Sequence, residues 1–164
     1  MFRKASVRQR YSDAVCEQAI ALVQKCNSIK AQASNPYLNL NLQDVDIGEL
    51  ILTFEATQSS EFLVMMGDKR FLRALPAYQE LAPLYNGLLG KVVCLEQVIA
   101  RLIETEGFEV VRERVTAARD CDTALKAAFG SGLLAEMSDV STTLSVYIEE
   151  LQADCLKLLA IVPL

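Results

Sequence analysis

The 164 residues are enough for one domain with its own core; 52% are apolar and only 4 Pro and 7 Gly are present, which excludes a disordered chain and favours long helices. A net charge of −5 argues against broad nucleic-acid binding and gives no expectation of sequence-specific DNA binding, while leaving room for a local basic patch. The chain has no His, so Ser-His-Asp and Cys-His nucleophiles, His-ligated zinc and the usual general base near neutral pH are excluded.

The N-terminus, MFRKASVRQRYSD, is basic, and no apolar run of the signal-peptide kind follows it. Residues 12–29 are predicted as a helix, capped by Ser12, with Val15, Ala19, Leu22, Val23 and Cys26 on one face. A polar connection over 30–43 is broken at Asn35-Pro36. The next helix spans 46–57, and the apolar run 62–66 after it reads as a buried parallel strand. Residues 68–75 form a short helix stopped by Pro76, and 76–85 a second one ending at Asn86-Gly87. KVVCL (91–95) is a second strand. Three further helices are predicted: 96–106 closing at Gly107, a long amphipathic one over 108–129, and 139–159. The last carries Val140, Leu144, Tyr147, Ile148, Leu151, Cys155 and Leu158 on one face. The apolar tail LKLLAIVPL (156–164) reads as a docked terminus or a subunit contact, being far shorter than the roughly 18 residues of a membrane span. Cys16, Cys26, Cys94, Cys121 and Cys155 form no C-x-x-C pair and read as small buried residues of a reduced, cytoplasmic protein. The expected fold is a predominantly helical α/β domain over 1–164, with a small parallel sheet (about 62–66 and 91–95) flanked by helices.

Within this frame, DVDIGELILTFEATQSSEFLVMMGDKRF (44–71) carries the chemistry. In a right-handed crossover the helix runs antiparallel to the strand it feeds. Glu49, in the first helical turn, and Asp68, just past the strand, therefore arrive at the same sheet edge, where open α/β sheets bind ligands. Converging carboxylates there make a hard-oxygen site for Mg²⁺ or Mn²⁺, a metal that activates water against a phosphodiester. A structural reading stands beside it. Asp46 with Glu49 is close to a capping box, and Asp68 can cap the helix KRFLRAL. Lys69, Arg70 and Arg73 are a solvated face or a phosphate-binding patch. Asp120 and Asp122 read as exposed helix charges.

The stretch DIGELILTFEATQSSEFLVMMGDKRFLRAL, followed by GKVVCLEQVIARLIE (90–104), resembles the C-terminal half of a PIN-like nuclease domain. The resemblance covers 44–105 and leaves 106–164 as a helical extension. It implies a Mg²⁺- or Mn²⁺-dependent endoribonuclease, with an RNA substrate. Glu49 and Asp68 would be its catalytic and metal-binding carboxylates, with Asp46 as an adjacent ligand and Lys69 and Arg70 near the substrate phosphate. The family opens on a strand ending in Asp, which is not found here, and Met66 stands where the family often has Thr or Ser. The competing expectation is therefore a degenerate, non-catalytic member serving as an interaction or oligomerisation module, its uncovered sheet edge met by a helix, a second copy or another protein.

Overall fold

Asp46 decides where α1 begins. Its backbone is extended, and its carboxylate accepts from the Gly48 and Glu49 amides at 2.7 and 3.3 Å, so α1 runs Ile47–Thr57 with two of its orphan donors satisfied. Gly48 belongs to this device, because a Cβ there would stand 2.8 Å from Asp46 Oδ1. The computed structural model describes residues 39–161 without interruption, together with Asp13, Ala14, Cys16, Glu17, Ile20, Ala21, Gln24, Pro36 and Tyr37. Asp13, Ala14, Cys16, Glu17, Ile20, Ala21 and Gln24 are helical, in keeping with the first expected helix. Its cap Ser12, all five of its expected face residues (Val15, Ala19, Leu22, Val23 and Cys26) and the basic N-terminus lie outside the described residues.

After α1 come β1 (Val64–Met66), α2 (Lys69–Ala77), a 3₁₀ turn (Gln79–Leu81), α3 (Ala82–Leu88) and β2 (Val92–Cys94). β1 and β2 pair in parallel, Val64 opposite Val92 and Met66 opposite Cys94, with α2 and α3 as the crossover. Beyond β2 lie α4 (Leu95–Glu106), α5 (Phe108–Thr116), a 3₁₀ turn (Arg119–Cys121), α6 (Thr123–Ala128), a 3₁₀ turn (Gly132–Leu134) and α7 (Met137–Asp154). The fold is thus a predominantly helical α/β arrangement around a small parallel sheet, as expected.

The tail docks on the sheet. Leu159 bridges Val92 in parallel, the Val92 amide donates to the Leu158 carbonyl at 3.3 Å, and the Ala160 amide donates to the Val92 carbonyl at 2.7 Å. The neighbouring Lys91 carbonyl instead accepts from the Val64 amide at 2.9 Å, so β2 lies between β1 and the tail. Gln97 reinforces the join by donating to the Ala160 carbonyl at 2.9 Å while accepting from the Cys94 amide at 3.0 Å. To reach this place the chain leaves α7 through Leu156 and Lys157, both at positive φ, and Tyr85 donates its hydroxyl to the Leu156 carbonyl at 2.6 Å.

Two apolar clusters hold the molecule. Phe71, Leu72, Leu75, Leu84, Leu88, Val92, Leu151 and Leu158 pack around the sheet, and Ile103, Phe108, Val111, Phe129, Val140 and Leu144 pack among the later helices. α7 joins them, placing Leu151 in the first and Val140 and Leu144 in the second. Each such fully buried side chain stabilises the fold by about 1.5–3 kcal/mol.

Several expectations need correction. β1 is not a buried strand: Phe62, Val64 and Met66 pack against the core, while Leu63 and Met65, which point to the opposite face, are 66% and 69% exposed. Pro76 does not stop α2 but sits in its last turn. Gly87 does not end α3, which runs on to Leu88; a Cβ at Gly87 would meet Thr57 Cγ2 at 3.1 Å, so glycine there lets α3 approach α1 closely. The expected long helix over 108–129 is broken, because Asp122 is extended (φ −142°, ψ 140°) and caps α6 through the Ala124 and Leu125 amides. The last helix ends at Asp154, and Leu158 and Leu159 lie in the docked tail. Cys16, Cys94 and Cys155 are buried as expected, but Cys121 is exposed. Burial pushes the Cys94 and Cys155 thiols up to about 11, which keeps them protonated and unreactive. No helix among the described residues is long and apolar enough to cross a membrane.

Candidate functional site

Of the three acidic residues singled out in the sequence, Asp46 and Asp68 cap helices and Glu49 lies in a first turn. Asp68 caps α2, its Oδ1 accepting from the Arg70 and Phe71 amides at 2.9 and 3.2 Å. Its Oδ2 accepts from the exposed Arg70 guanidinium at 3.2 Å. Burial alone would raise the Asp68 carboxyl; Arg70 and the two amides outweigh it and hold the group below the usual aspartate range.

Glu49 sits in the first turn of α1 and has no such support. Burial, the charge of Asp68 and that of Asp46 together push its carboxyl up to about 7, against the weaker pull of Arg70 and an amide. Glu49 Oε2 is shielded from solvent and has no hydrogen-bond partner. The fold therefore brings Glu49, Asp68 and Asp46 within each other's fields at one edge of the sheet. Asp46 and Asp68 each cap a helix, so the capping and the clustering occur in the same residues.

Lys69 turns the other way. Its ammonium stands 2.7 Å from Glu96 Oε1 and 3.0 Å from Asp122 Oδ2, joining the starts of α2, α4 and α6. Glu96 is 1% exposed. Its approach to Lys69 is an ion pair out of line for a hydrogen bond, and neither of its oxygens has an aligned donor. Burial opposes the charge on Lys69, but the contacts with Glu96 and Asp122 overcome it and raise the lysine. Desolvation likewise works against Asp122, while the Leu125 amide and Lys69 keep its carboxyl low. Sequence reasoning did not find this triad. Asp122 read as an exposed helix charge, whereas it is half-buried, caps α6 and holds Lys69. Asp120 is exposed and lies 3.5 Å from Lys126.

Beside Asp68 a cleft of about 550 Å³ opens between α2 and the later helices. Arg70 and Arg73 line one side, and Cys121, Thr123 and Tyr147 the other. Arg73 also reaches Asp154 at 2.7 Å.

The carboxylates at the Glu49 edge are of the atom type that a hard divalent cation takes, and the shielded, unpartnered Glu49 Oε2 belongs to a carboxyl within the fields of Asp68 and Asp46. Among the described residues, no group of three or more His, Cys, Asp and Glu side chains is gathered into a metal-holding cluster. Comparison with protein-family models, curated proteins and solved structures returns no match.

Proposed function

We propose that the chain is a PIN-like, metal-dependent ribonuclease in which Glu49 and Asp68, flanked by Asp46, hold Mg²⁺ or Mn²⁺. The observation that carries this reading is Glu49. A carboxyl pushed up to about 7 beside two other carboxylates, with one oxygen shielded and unpartnered, has an unmet need for positive charge. A proton meets it in acid and a divalent cation meets it above neutrality. Two carboxylates are compatible with Mg²⁺, which keeps several waters in its shell. When bound, the metal supplies Lewis acidity and a water of lowered pKa. The chain's own residues orient the site: Gly48 gives Asp46 room to cap α1, the Arg70 and Phe71 amides fix Asp68, and Arg70 lies where a phosphate would approach.

Calorimetric titration with Mn²⁺ tests the reading directly. The expected result is binding by the wild type at pH 8, weakened at least tenfold in Glu49→Gln and in Asp68→Asn, with metal-dependent RNA cleavage lost in both. Unchanged Mn²⁺ binding in both variants would falsify it. Asp68→Asn is a fair probe because Asn also caps helices well.

A second reading rests on β1. Leu63 and Met65 are exposed on the open face of β1, the kind of apolar surface an oligomer or protein partner covers. Sedimentation would expose this reading: a concentration-dependent dimer dispersed by Met65→Lys supports it, and a plain monomer at all concentrations removes the oligomer.

A further inference from the structure

The cleft between α2 and the later helices has chemistry of its own. Its volume, about 550 Å³, lies within the roughly 300–1,000 Å³ range of small-ligand sites. It joins the 44–105 segment to the helical extension: Arg70 and Arg73 come from α2, Thr123 from α6 and Tyr147 from α7.

The acidic groups around it are already answered from within the protein. Asp68 gives Oδ1 to two amides and Oδ2 to Arg70. Asp122 gives Oδ1 to two amides and Oδ2 to Lys69, and Lys69 also faces Glu96. The arginines are not used up in the same way. A guanidinium carries five N–H donors. Arg73 spends Nε on Asp154, and Arg70 spends Nη2 on Asp68, both with side chains open to solvent at 46% and 73% exposure. Such exposed pairs hold little stability and exchange readily for a stronger anion. The side chain of Tyr147, half-buried on the other side, makes no hydrogen bond among the described residues.

We infer that this cleft is a nucleotide site, in which Arg70 and Arg73 bind a phosphate through their spare donors and Tyr147 stacks on the base. Planar guanidinium forks match phosphate oxygens in pairs, and a tyrosine face accepts any base. The ligand is a phosphorylated aromatic unit, either a free nucleotide or one residue of a single strand. A base paired within a duplex has no free face to offer Tyr147. The site adjoins Asp68 but needs no metal, so it stands or falls separately from the metal reading.

The experiment is a chemical-shift titration of the full chain in EDTA with uridine 5′-phosphate, a short oligouridylate and the same strand in a duplex. Saturable binding is expected for the first two, with shifts centred on Arg70, Arg73 and Tyr147, and much weaker binding for the duplex. Tyr147→Ala is expected to weaken binding about tenfold and Tyr147→Phe to leave it unchanged, since stacking uses the ring and not the hydroxyl. Arg73→Gln is expected to weaken it about tenfold as well, with Tm within a degree or two of wild type. An oligouridylate binding well beyond the mononucleotide identifies a strand as the ligand, and equal affinities identify a free nucleotide. Absence of binding to both, or a Tyr147→Ala variant that binds like wild type, overturns the proposal. Mn²⁺ binding measured on a separate, EDTA-free sample reports on the Glu49 edge independently.

Discussion

Two groups of charges lie near the ends of the same two strands and reach opposite solutions. Lys69, Glu96 and Asp122 form a set with its cation built in: the ammonium lies 2.7 and 3.0 Å from the two carboxylates, and Glu96 is almost wholly removed from solvent. Asp46, Glu49 and Asp68 form a set without one. Asp46 and Asp68 lean on backbone amides, Asp68 borrows an exposed arginine, and Glu49 is left with an unpartnered oxygen and a carboxyl near 7. Charge near a sheet edge is therefore no sign of function on its own. What separates structure from candidate chemistry is whether the neutralising partner is part of the chain.

The largest test of this contrast removes the built-in cation. Lys69→Met leaves Glu96 buried and unpaired, which is expected to cost about 3–5 kcal/mol in urea unfolding. Adding Glu96→Gln is expected to return much of that loss, because the stranded charge is then gone. A single-variant loss close to zero would mean that the triad is not what holds α2 to α4.

Asp122 comes next. Asp122→Ala removes the α6 cap and one partner of Lys69, with an expected cost of about 1–2 kcal/mol. Asp122→Asn keeps the cap and removes the charge, so its own cost against wild type reports the ion pair, and the difference between the two variants reports the cap. An Asp122→Asn variant as stable as wild type would show that the pair adds nothing beyond the cap.

Glu49→Gln has a smaller effect of the opposite sign. A folded-state carboxyl raised to about 7 contributes stability in acid, below its unfolded value near 4.5, and loses it as pH rises through 7. After allowance for solvent screening at a partly exposed group, the variant is expected to gain about 1 kcal/mol at pH 8 and almost nothing at about pH 4. In calorimetry that is a Tm rise of about 2–4 °C. Under the proposed function, Mn²⁺ raises the wild-type Tm at pH 8 and leaves the variant unchanged. Asp68 and Asp122 titrate in the other direction. Their folded values are lowered, so their contribution is present above the ordinary carboxylate range and lost as pH falls below it. The metal-free protein is accordingly expected to be most stable on the acid side of neutrality. The smallest effect is at Arg70. Its pair with Asp68, made by a solvent-exposed guanidinium, is expected to add little to stability, and Arg70→Gln serves as the control.

Much of the helix-strand order, and the meeting of Glu49 with Asp68, was legible in the sequence because both follow from local rules. Asp46 and Asp68 stand where caps belong, and a crossover returns a helix start to the end of the strand it feeds. The Lys69 triad was not legible. Its members are distant in sequence, with Lys69 and Asp122 53 residues apart, and a buried glutamate in a first helical turn has the same local signature as an exposed one. The break at Asp122 was hidden for a related reason. The apolar period carries straight through 108–129, while the capping bonds and the pull of Lys69 that interrupt it leave no mark in periodicity. Gly87 misled in the other direction: a residue that usually ends helices is there to make room for Thr57.

The docking of the tail on β2 also bears on how the molecule is assembled in time. Val92 completes its bonding only when Leu158 and Ala160 arrive, and Gln97 waits for a carbonyl 63 residues further along the chain. Closing a loop of that length carries an entropic cost that no local contact offsets, so long-range parallel pairing is slow. The α4–α7 helices span that loop, and forming them first shortens the search. We expect the amides of α7 to gain protection from hydrogen exchange before the Val92 amide does in a refolding pulse experiment. The sheet would then be the last part of the protein to set, although its two named strands lie in the middle of the sequence.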